Sequence, residues 1–244
     1  MKINELDFKN TLKEEALNIG IELTNRQLEN FEKYKELLIE WNEKMNLTAI
    51  TTDYDVIMKH FVDCLEIVKY LKKGSKVIDV GTGAGFPGVV IAIYFENDID
   101  ITLLDSLNKR LIFLEEVIKT LDLKHVNIVH ARAEEYVQNE LIRESYDVVV
   151  SRAVAPLNVL LEYDIPYLKV GKKALFLKGN NVKEEIEQAK NALNILHSEI
   201  SNIYTYKYII GEEEYNRNVL EIIKKKETNK KYPRNYGKIK KQPL

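Results

Sequence analysis

The stretch VIDVGTGAGFPGV, residues 77–89, predicts the first strand and turn of an α/β sheet. Its first four residues have the β-branched character of a buried strand. The glycines at 81, 83 and 85 predict a turn that residues with a Cβ would resist, and the apolar run at 90–93 predicts a helix after it. A strand, a glycine turn and a helix in this order form the first unit of a nucleotide-binding sheet. Backbone N–H groups at the start of that helix can approach a ligand closely.

Two classes of ligand fit this turn. Gly83, Gly85 and Gly88 match the G-x-G-x-x-G spacing of dinucleotide-binding enzymes, whereas residues 79–85 match the acidic-x-G-x-G-x-G spacing of S-adenosylmethionine (SAM) enzymes. Asp79 discriminates between them, because a carboxylate at the end of the strand would repel a pyrophosphate but suits a ligand with an ammonium and a sulfonium group. The sequence therefore favours SAM, with a nucleotide-binding oxidoreductase as the alternative.

The composition indicates a globular protein of the cytoplasm. The chain has 244 residues, 45% of them apolar, and a net charge of −2, so it is long enough to bury the core of one α/β domain with an extension. A single cysteine excludes an internal disulfide, and the N-terminal residues contain no apolar run typical of a signal peptide or membrane span. The four histidines lack metal-ligand spacing, so we expect no metal. No extended apolar seam predicts an obligate protein partner.

The charge is concentrated at the C-terminus. From Lys224 onward the chain carries nine basic residues and one acidic residue, Glu227, which is a net charge of +8 on an otherwise acidic protein. A basic segment of this kind favours contact with a polyanion such as nucleic-acid phosphates, although a merely solvated tail is the alternative. Tyr232, Pro233 and Tyr236 lie between the charges and favour some fixed geometry.

We expect three parts along the chain. Residues 1–50 show helical spacing of apolar side chains and a capping box, Thr24 with Gln27, and predict a helical extension packed on the body. Residues 51–224 predict a SAM-dependent methyltransferase domain of class I, with a Rossmann-like, mostly parallel seven-stranded sheet closed by a C-terminal antiparallel hairpin. The hairpin strands are predicted at about 204–210 and 218–223. Residues 225–244 form the basic C-terminal tail.

The carboxyl edge of the predicted sheet carries the candidate ligand contacts. Asp105 ends the second strand, 20 residues beyond Gly85, where such sheets place an acid for the two ribose hydroxyls. The same residue could instead cap the following helix. The loop after the third strand brings Ala133 and Glu134 toward the adenine. Arg152 follows the fourth strand, at the position that faces the methyl group to be transferred.

Short motifs are spread over nearly the whole chain. They are Asn42 with 46–50 (NLTAI), 60–65 (HFVDCL), 79–88, Asp105-Ser106 with Lys109-Arg110, 132–134 (RAE), 151–153 (SRA), Lys178-Gly179, and 232–234 (YPR) with Gly237. Together they resemble the RsmG (GidB) family of bacterial 16S rRNA methyltransferases. One difference is Cys64, where this family usually has serine. The resemblance implies SAM-dependent methylation of nitrogen 7 of a single guanine, guanine527 of 16S rRNA in the small ribosomal subunit.

The resemblance also implies roles for individual residues. SAM contacts carried over from the family are Gly81, Phe86, Ala133, Glu134 and Arg152, to which the residue patterns add Asp79, Gly83, Gly85 and Asp105. For RNA phosphates we expect basic side chains at the carboxyl edge and in the tail, namely Lys109, Arg110, Arg132, Lys178 and Arg234.

The residues after the fourth strand bear on the atom that is methylated. Ser151-Arg152-Ala153-Val154 is neither the N-P-P-Y type of motif used on exocyclic amines nor a cysteine nucleophile. Nitrogen 7 of guanine already presents a lone pair, so no proton must leave before it attacks. We therefore expect a site that aligns its substrates, with Arg152 orienting them near the methyl group, rather than one built around a general base. A catalytically idle RNA-binding module on the same fold is a further alternative.

Overall fold

Seven strands form one sheet in the computed structural model, which describes residues 7–244. Their order across the sheet is β3-β2-β1-β4-β5-β7-β6. Strand β7 runs antiparallel to both of its neighbours, and the pairs formed among the first five strands are parallel. This arrangement confirms the predicted fold class. The strands are β1 (Lys76–Val80), β2 (Asp100–Asp105), β3 (Val126–His130), β4 (Tyr146–Arg152), β5 (Leu168–Lys178), β6 (Ser198–Ile210) and β7 (Glu213–Lys224).

Helices cover both faces of the sheet. A continuous helical segment at 53–70 precedes β1. Two short α-helical stretches in it flank a π-helical turn, Ile57–Val62, and the segment ends in a 3₁₀ turn, Glu66–Tyr70. The α-helices are α1 (Phe8–Asn18), α2 (Asn25–Met45), α3 (Asp53–Val56), α4 (Asp63–Leu65), α5 (Gly88–Phe95), α6 (Asn108–Thr120), α7 (Ala133–Tyr136), α8 (Leu157–Asp164), α9 (Val182–Ile195) and α10 (Tyr236–Lys241). Among the described residues, no helix has the length and apolar character needed to cross a bilayer.

The N-terminal helices pack on the face of the sheet that carries α5 and α6. Leu12, Phe31 and Tyr34 are fully buried in the same apolar cluster as α5. The predicted capping box is present, since the Thr24 hydroxyl accepts from the Gln27 N–H and the Gln27 amide oxygen accepts from the Thr24 N–H. Residues 1–6 of the predicted helical extension lie outside the described residues.

The C-terminal tail is attached to the body by specific contacts rather than merely solvated. The Arg143 guanidinium donates to the carbonyls of Thr228, Asn229 and Tyr232 at 2.9–3.2 Å. Tyr232 is only 8% exposed and packs in the core under β5 and α8. The Arg234 guanidinium makes two bonds to the fully buried Glu162 carboxylate, at 2.8 and 2.6 Å. The tail therefore has a fixed course over the sheet's second face.

Gly85 is the glycine of the turn that can least tolerate a side chain. Its φ is +98°, and a Cβ there would lie 2.5 Å from Val89 Cγ2 and 2.7 Å from the Tyr34 hydroxyl oxygen. Gly85→Ala should therefore lower the free energy of unfolding by about 2–3 kcal/mol, measured by urea unfolding. Gly171→Ala is the control, because its φ is +79° but its Cβ would meet nothing within 4 Å. Equal losses in the two variants would contradict tight packing at Gly85.

Candidate functional site

Asp79 fastens the glycine turn to the start of α5. Its carboxylate Oδ2 accepts from the Thr82 hydroxyl at 2.7 Å and from the Gly88 N–H at 2.8 Å. The side chain is completely buried, and Oδ1 has no hydrogen-bond partner within residues 7–244. Asp79 thus stabilises the turn from a buried position. The sequence pattern predicts instead that its carboxylate lies next to the ligand's cationic end.

The burial of Asp79 gives a prediction about pH. Burial raises the pKa of Asp79 from 3.8 to about 7, although the bonds from Thr82 and Gly88 oppose the rise. Between these values the folded protein holds a proton that the unfolded chain has released, so this residue's contribution to stability is lost as pH rises. In Asp79→Asn this loss of stability should be absent. We therefore expect the free energy of unfolding of the variant to fall less than that of the wild type between about pH 5 and pH 8.

Urea unfolding of both proteins across this pH range measures the difference. Asp122→Asn is the control for the substitution itself, because Asp122 is a largely exposed carboxylate. Parallel curves for the wild type and Asp79→Asn would contradict the raised pKa.

Asp105, at the end of β2, connects the turn to the adjacent loop. Its Oδ2 accepts from the Gly83 N–H at 2.9 Å and from the Arg110 guanidinium at 3.2 Å, and its Oδ1 accepts from the Leu107 N–H at 2.8 Å. The side chain is 4% exposed. Each carboxylate oxygen has two lone pairs, so Asp105 keeps the capacity to accept a bond from a ligand hydroxyl. The alternative prediction, that Asp105 caps the following helix, is wrong, because the cap position of α6 is Leu107 and no side chain caps the helix there. The bond from the Leu107 N–H orders the loop before α6 instead, and contact of Asp105 with the ligand stays a prediction.

A cleft of about 660 Å³ opens at the carboxyl edge beside Asp105. The ends of β1 and β2 and the loops after β3 and β4 line it, so it lies where an open α/β sheet binds its ligand. Burial raises the pKa of Glu134 in its wall, opposed by the charge of nearby Arg132. Six of the predicted residues line the cleft together: Gly81, Asp105, Ala133 and Glu134 from the cofactor set, and Arg110 and Arg132 from the RNA set.

The other predicted cofactor residues do not line this cleft. Gly83 and Gly85 shape the turn, and Phe86 is 6% exposed and packs against His60 and Arg152. Its ring stacks on the His60 ring, with centroids 4.3 Å apart, and the Arg152 guanidinium lies 5.0 Å from its centroid. Arg152 is therefore held close to the end of the turn, next to the loop 153–156 that lines the cleft.

Arg152 belongs to a buried network that the sequence patterns did not predict. Its guanidinium donates to Asp63 Oδ2 at 3.1 Å, to the Lys59 carbonyl at 2.8 Å and to His60 Nδ1 at 2.8 Å. Asp63 also accepts two bonds from Arg217, at 2.9 and 3.0 Å. One carboxylate thus holds two arginines from different parts of the sheet, and the network keeps a net positive charge beside the cleft.

His60 is neutral in this network. Burial, together with the Arg152 charge, lowers the pKa of His60 to about 3. A guanidinium can only donate, so Nδ1 is the acceptor and the protonated Nε2 donates to the Thr48 hydroxyl at 2.9 Å. Both ring nitrogens are occupied, and His60 orients Arg152 rather than taking up a proton.

The five basic residues predicted for RNA have different environments. Lys109 and Arg132 are exposed, and Arg110 is partly exposed at the cleft. The Lys178 ammonium is buried and bound to Glu185 at 2.7 Å and to the Ala155 carbonyl at 3.1 Å. Arg234 is paired with Glu162 as described above. Contacts of Lys178 and Arg234 with RNA remain predictions, whereas their structural partners are visible.

Two groups of site residues were missed from the sequence. One is the pair of Asp63 and Arg217. The sequence indicated it only through the motif at 60–65, which contains Asp63. The other is Tyr236, Lys240 and Pro243 of the tail, which line the cleft although every predicted cofactor residue lies between 79 and 152. The basic tail was recognised by its charge, which carries no information about where it packs. Within residues 7–244, no three His, Cys, Asp or Glu side chains are grouped as a metal site.

Solved structures with this fold differ widely from the chain in sequence. The precorrin-6y C5,15-methyltransferase of Geobacter metallireducens superposes with a TM-score of 0.50 at 16% identity, covering 68% of this chain and 88% of its own. TYW2 of P. horikoshii superposes with a TM-score of 0.52 at 15% identity, covering 66% and 62%. At this level of identity, the likeness shows the fold alone.

Sequence relatives are much closer. The ribosomal RNA small subunit methyltransferase G of Acetivibrio thermocellus is 47% identical over the full length of both chains. The proteins of the same name from Alkaliphilus oremlandii and Clostridium tetani are each 46% identical, covering 98% and 93% of this chain and 100% and 95% of their own. The sequence model of the rRNA small subunit methyltransferase G family matches residues 27–219. The chain belongs to this family, as the resemblance in its motifs predicted.

Proposed function

We propose that the protein is a SAM-dependent methyltransferase that modifies nitrogen 7 of guanine527 in 16S rRNA. The observation that carries the proposal is the cleft at the carboxyl edge of β1, β2 and β4, where Gly81, Asp105 and Glu134 converge. Membership of the rRNA small subunit methyltransferase G family supports the reaction class and the RNA substrate.

The residues of the cleft fit SAM. A volume of about 660 Å³ is in the range of small-molecule sites. Asp105 would accept from the ribose hydroxyls, the Ala133 backbone and Glu134 would lie at the adenine, and Leu104 and Val159 offer apolar surface to the base. Gly81, at φ +72°, presents bare backbone to the cleft. A Cβ at this position would lie only 2.7 Å from Val154 Cγ2. When bound, SAM supplies a sulfonium methyl group as the electrophile.

The chain's own contribution to transfer is alignment. Nitrogen 7 of guanine attacks through its lone pair and loses no proton, so the site needs no base. Consistent with this, His60 has both nitrogens engaged and Arg152 is a donor fixed by Asp63, His60 and the Lys59 carbonyl. Arg152 would orient the base or its sugar-phosphate beside the cleft. Holding two reactants in register can supply several kcal/mol of the barrier reduction.

A second cavity offers a place for the RNA. It has a volume of about 590 Å³ and shares the loop 153–156 with the cofactor cleft. Lys178, Glu185 and Arg217 lie in its walls, so donors and an acceptor are available to a nucleotide. Exposed Lys109 and Arg132 at the same edge would add phosphate contacts. A nucleotide in this cavity would approach the cleft across the loop that follows Arg152.

Calorimetry with the purified protein tests the cofactor. We expect SAM to bind and NAD not to bind at comparable concentrations. Binding of NAD without SAM would contradict the proposal in favour of an oxidoreductase. Incubation of the SAM-bound protein with small-subunit RNA then tests catalysis. Binding of both SAM and RNA with no methyl transfer would indicate the idle RNA-binding module instead.

A further inference from the structure

The C-terminal segment, residues 228–244, forms part of the cofactor cleft. Tyr236 and Lys240 on α10, with Pro243 after it, line the cleft together with Gly81 of the glycine turn. Ile239 of the same helix is fully buried, and Leu244 packs against the core of the second face. The segment is therefore a wall of the site rather than a neighbour of it.

This wall lies outside the region matched by the family model, which ends at residue 219. It is nevertheless attached at several independent points. The Glu144 carboxylate accepts from the Thr228 N–H at 2.8 Å and from the fully buried Lys224 ammonium at 2.7 Å. The pair of Arg234 with Glu162 fixes the chain directly before α10. The position of α10 is thus determined by contacts that do not involve the cleft itself.

Tyr236 is the residue of the segment best placed to meet a ligand. Its ring lies 4.8 Å from the Arg132 guanidinium carbon, and Arg132 is next to Ala133 and Glu134 in the same wall. The Lys240 ammonium also lies 5.8 Å from the ring centroid, and Tyr236 is still 44% exposed, so part of the ring is accessible to a ligand. An aromatic ring at this point matches the flat, apolar faces of a purine.

We propose that Tyr236 is a cofactor-binding residue that covers the adenosine end of SAM, and that α10 completes the cleft. The proposal rests on SAM being the ligand, as argued above. It adds a role for the tail to the phosphate contacts predicted from its charge. The tail's charge can still contact phosphates, because Lys238 and Lys241 are exposed and do not line the cleft.

Calorimetric titration with SAM and with S-adenosylhomocysteine, in the absence of RNA, tests this role. Tyr236→Ala should raise the Kd of both ligands at least fivefold, the lower end of what stacking one base on an aromatic ring contributes. Tyr236→Phe should retain wild-type affinity, because the ring and not the hydroxyl makes the contact. Lys241→Ala removes a charge from the same helix outside the cleft and should leave both Kd values unchanged.

A truncation before residue 236 provides a second, independent test. It keeps Tyr232 and Arg234 in place and removes only α10 and the last residues, and it should weaken both ligands at least as much as Tyr236→Ala. Thermal unfolding without ligand shows that the variants are folded. A Kd within twofold of wild type in folded Tyr236→Ala would overturn the proposal, and a simultaneous loss of RNA affinity would assign Tyr236 to the RNA. If the wild type bound no SAM, the proposed function itself would fail.

Discussion

Asp63→Ala should lower the free energy of unfolding by about 3–5 kcal/mol, because it leaves two buried arginines without their counter-ion. The Asp63 side chain is 1% exposed. Its carboxylate accepts from Arg152, from Nε and Nη2 of Arg217 and from the Tyr206 hydroxyl at 2.7 Å. Without the carboxylate, the guanidinium groups of Arg152 and Arg217 repel each other in a poorly solvated site. Urea unfolding measures the loss.

Asp53→Ala is the matched control, since this carboxylate lies in the same helical segment but is 40% exposed and paired only with Lys35. Its cost should stay below about 1 kcal/mol. Burial alone would raise the pKa of Asp63, but Arg217 and Arg152 more than offset it and the pKa is lowered. The stability that Asp63 provides is therefore lost as pH falls below its ordinary pKa of 3.8. A loss in Asp63→Ala no larger than in the control would contradict the network.

Arg152→Ala should reduce methyl transfer at least about tenfold, equivalent to about 1.4 kcal/mol of transition-state stabilisation. The arginine is held by three partners at the end of β4, next to the loop shared by the two cavities. Asp63 keeps Arg217 in the variant, so the fold should persist. The rate of transfer at saturating SAM and RNA is the quantity to measure.

Arg152→Lys separates charge from geometry in this experiment. A lysine keeps the charge but cannot hold Asp63 and His60 together, since it lacks the planar fork of the guanidinium. We therefore expect nearly the same loss as in Arg152→Ala, with a SAM Kd within about threefold of wild type because Arg152 does not line the cofactor cleft. Full activity of either folded variant would show that Arg152 only supports the structure.

The parts of the sheet edge whose position the sequence predicts are those encoded in contiguous sequence. The β1 strand, the turn, α5 and β2 follow one another within residues 76–105, so spacing alone predicts that Gly81 and Asp105 meet at one edge. The fold class follows from the same order of strands and helices. Strand ends were placed less well, because β6 and β7 extend several residues beyond their apolar cores as a hydrogen-bonded hairpin.

The parts that were missed depend on tertiary packing. Asp63 and Arg217 are 154 residues apart, and nothing in the local sequence shows that this arginine is held by a buried carboxylate. Helix α10 has six residues and three lysines, a composition typical of a solvated segment. Its place over the cleft is decided by Tyr232, Arg234 and Ile239, whose partners lie elsewhere in the chain. Charge patterns reveal that a segment is basic and leave open which surface it covers.

Locating the methyl group in the product tests the proposed reaction. Small subunits and free 16S rRNA lacking this modification are incubated with the protein and isotopically labelled SAM, and the RNA is then digested for mass spectrometry. We expect one labelled methyl group per RNA, on nitrogen 7 of guanine527. Transfer to another nucleotide or another atom, or no transfer to either substrate by protein that binds SAM, would contradict it.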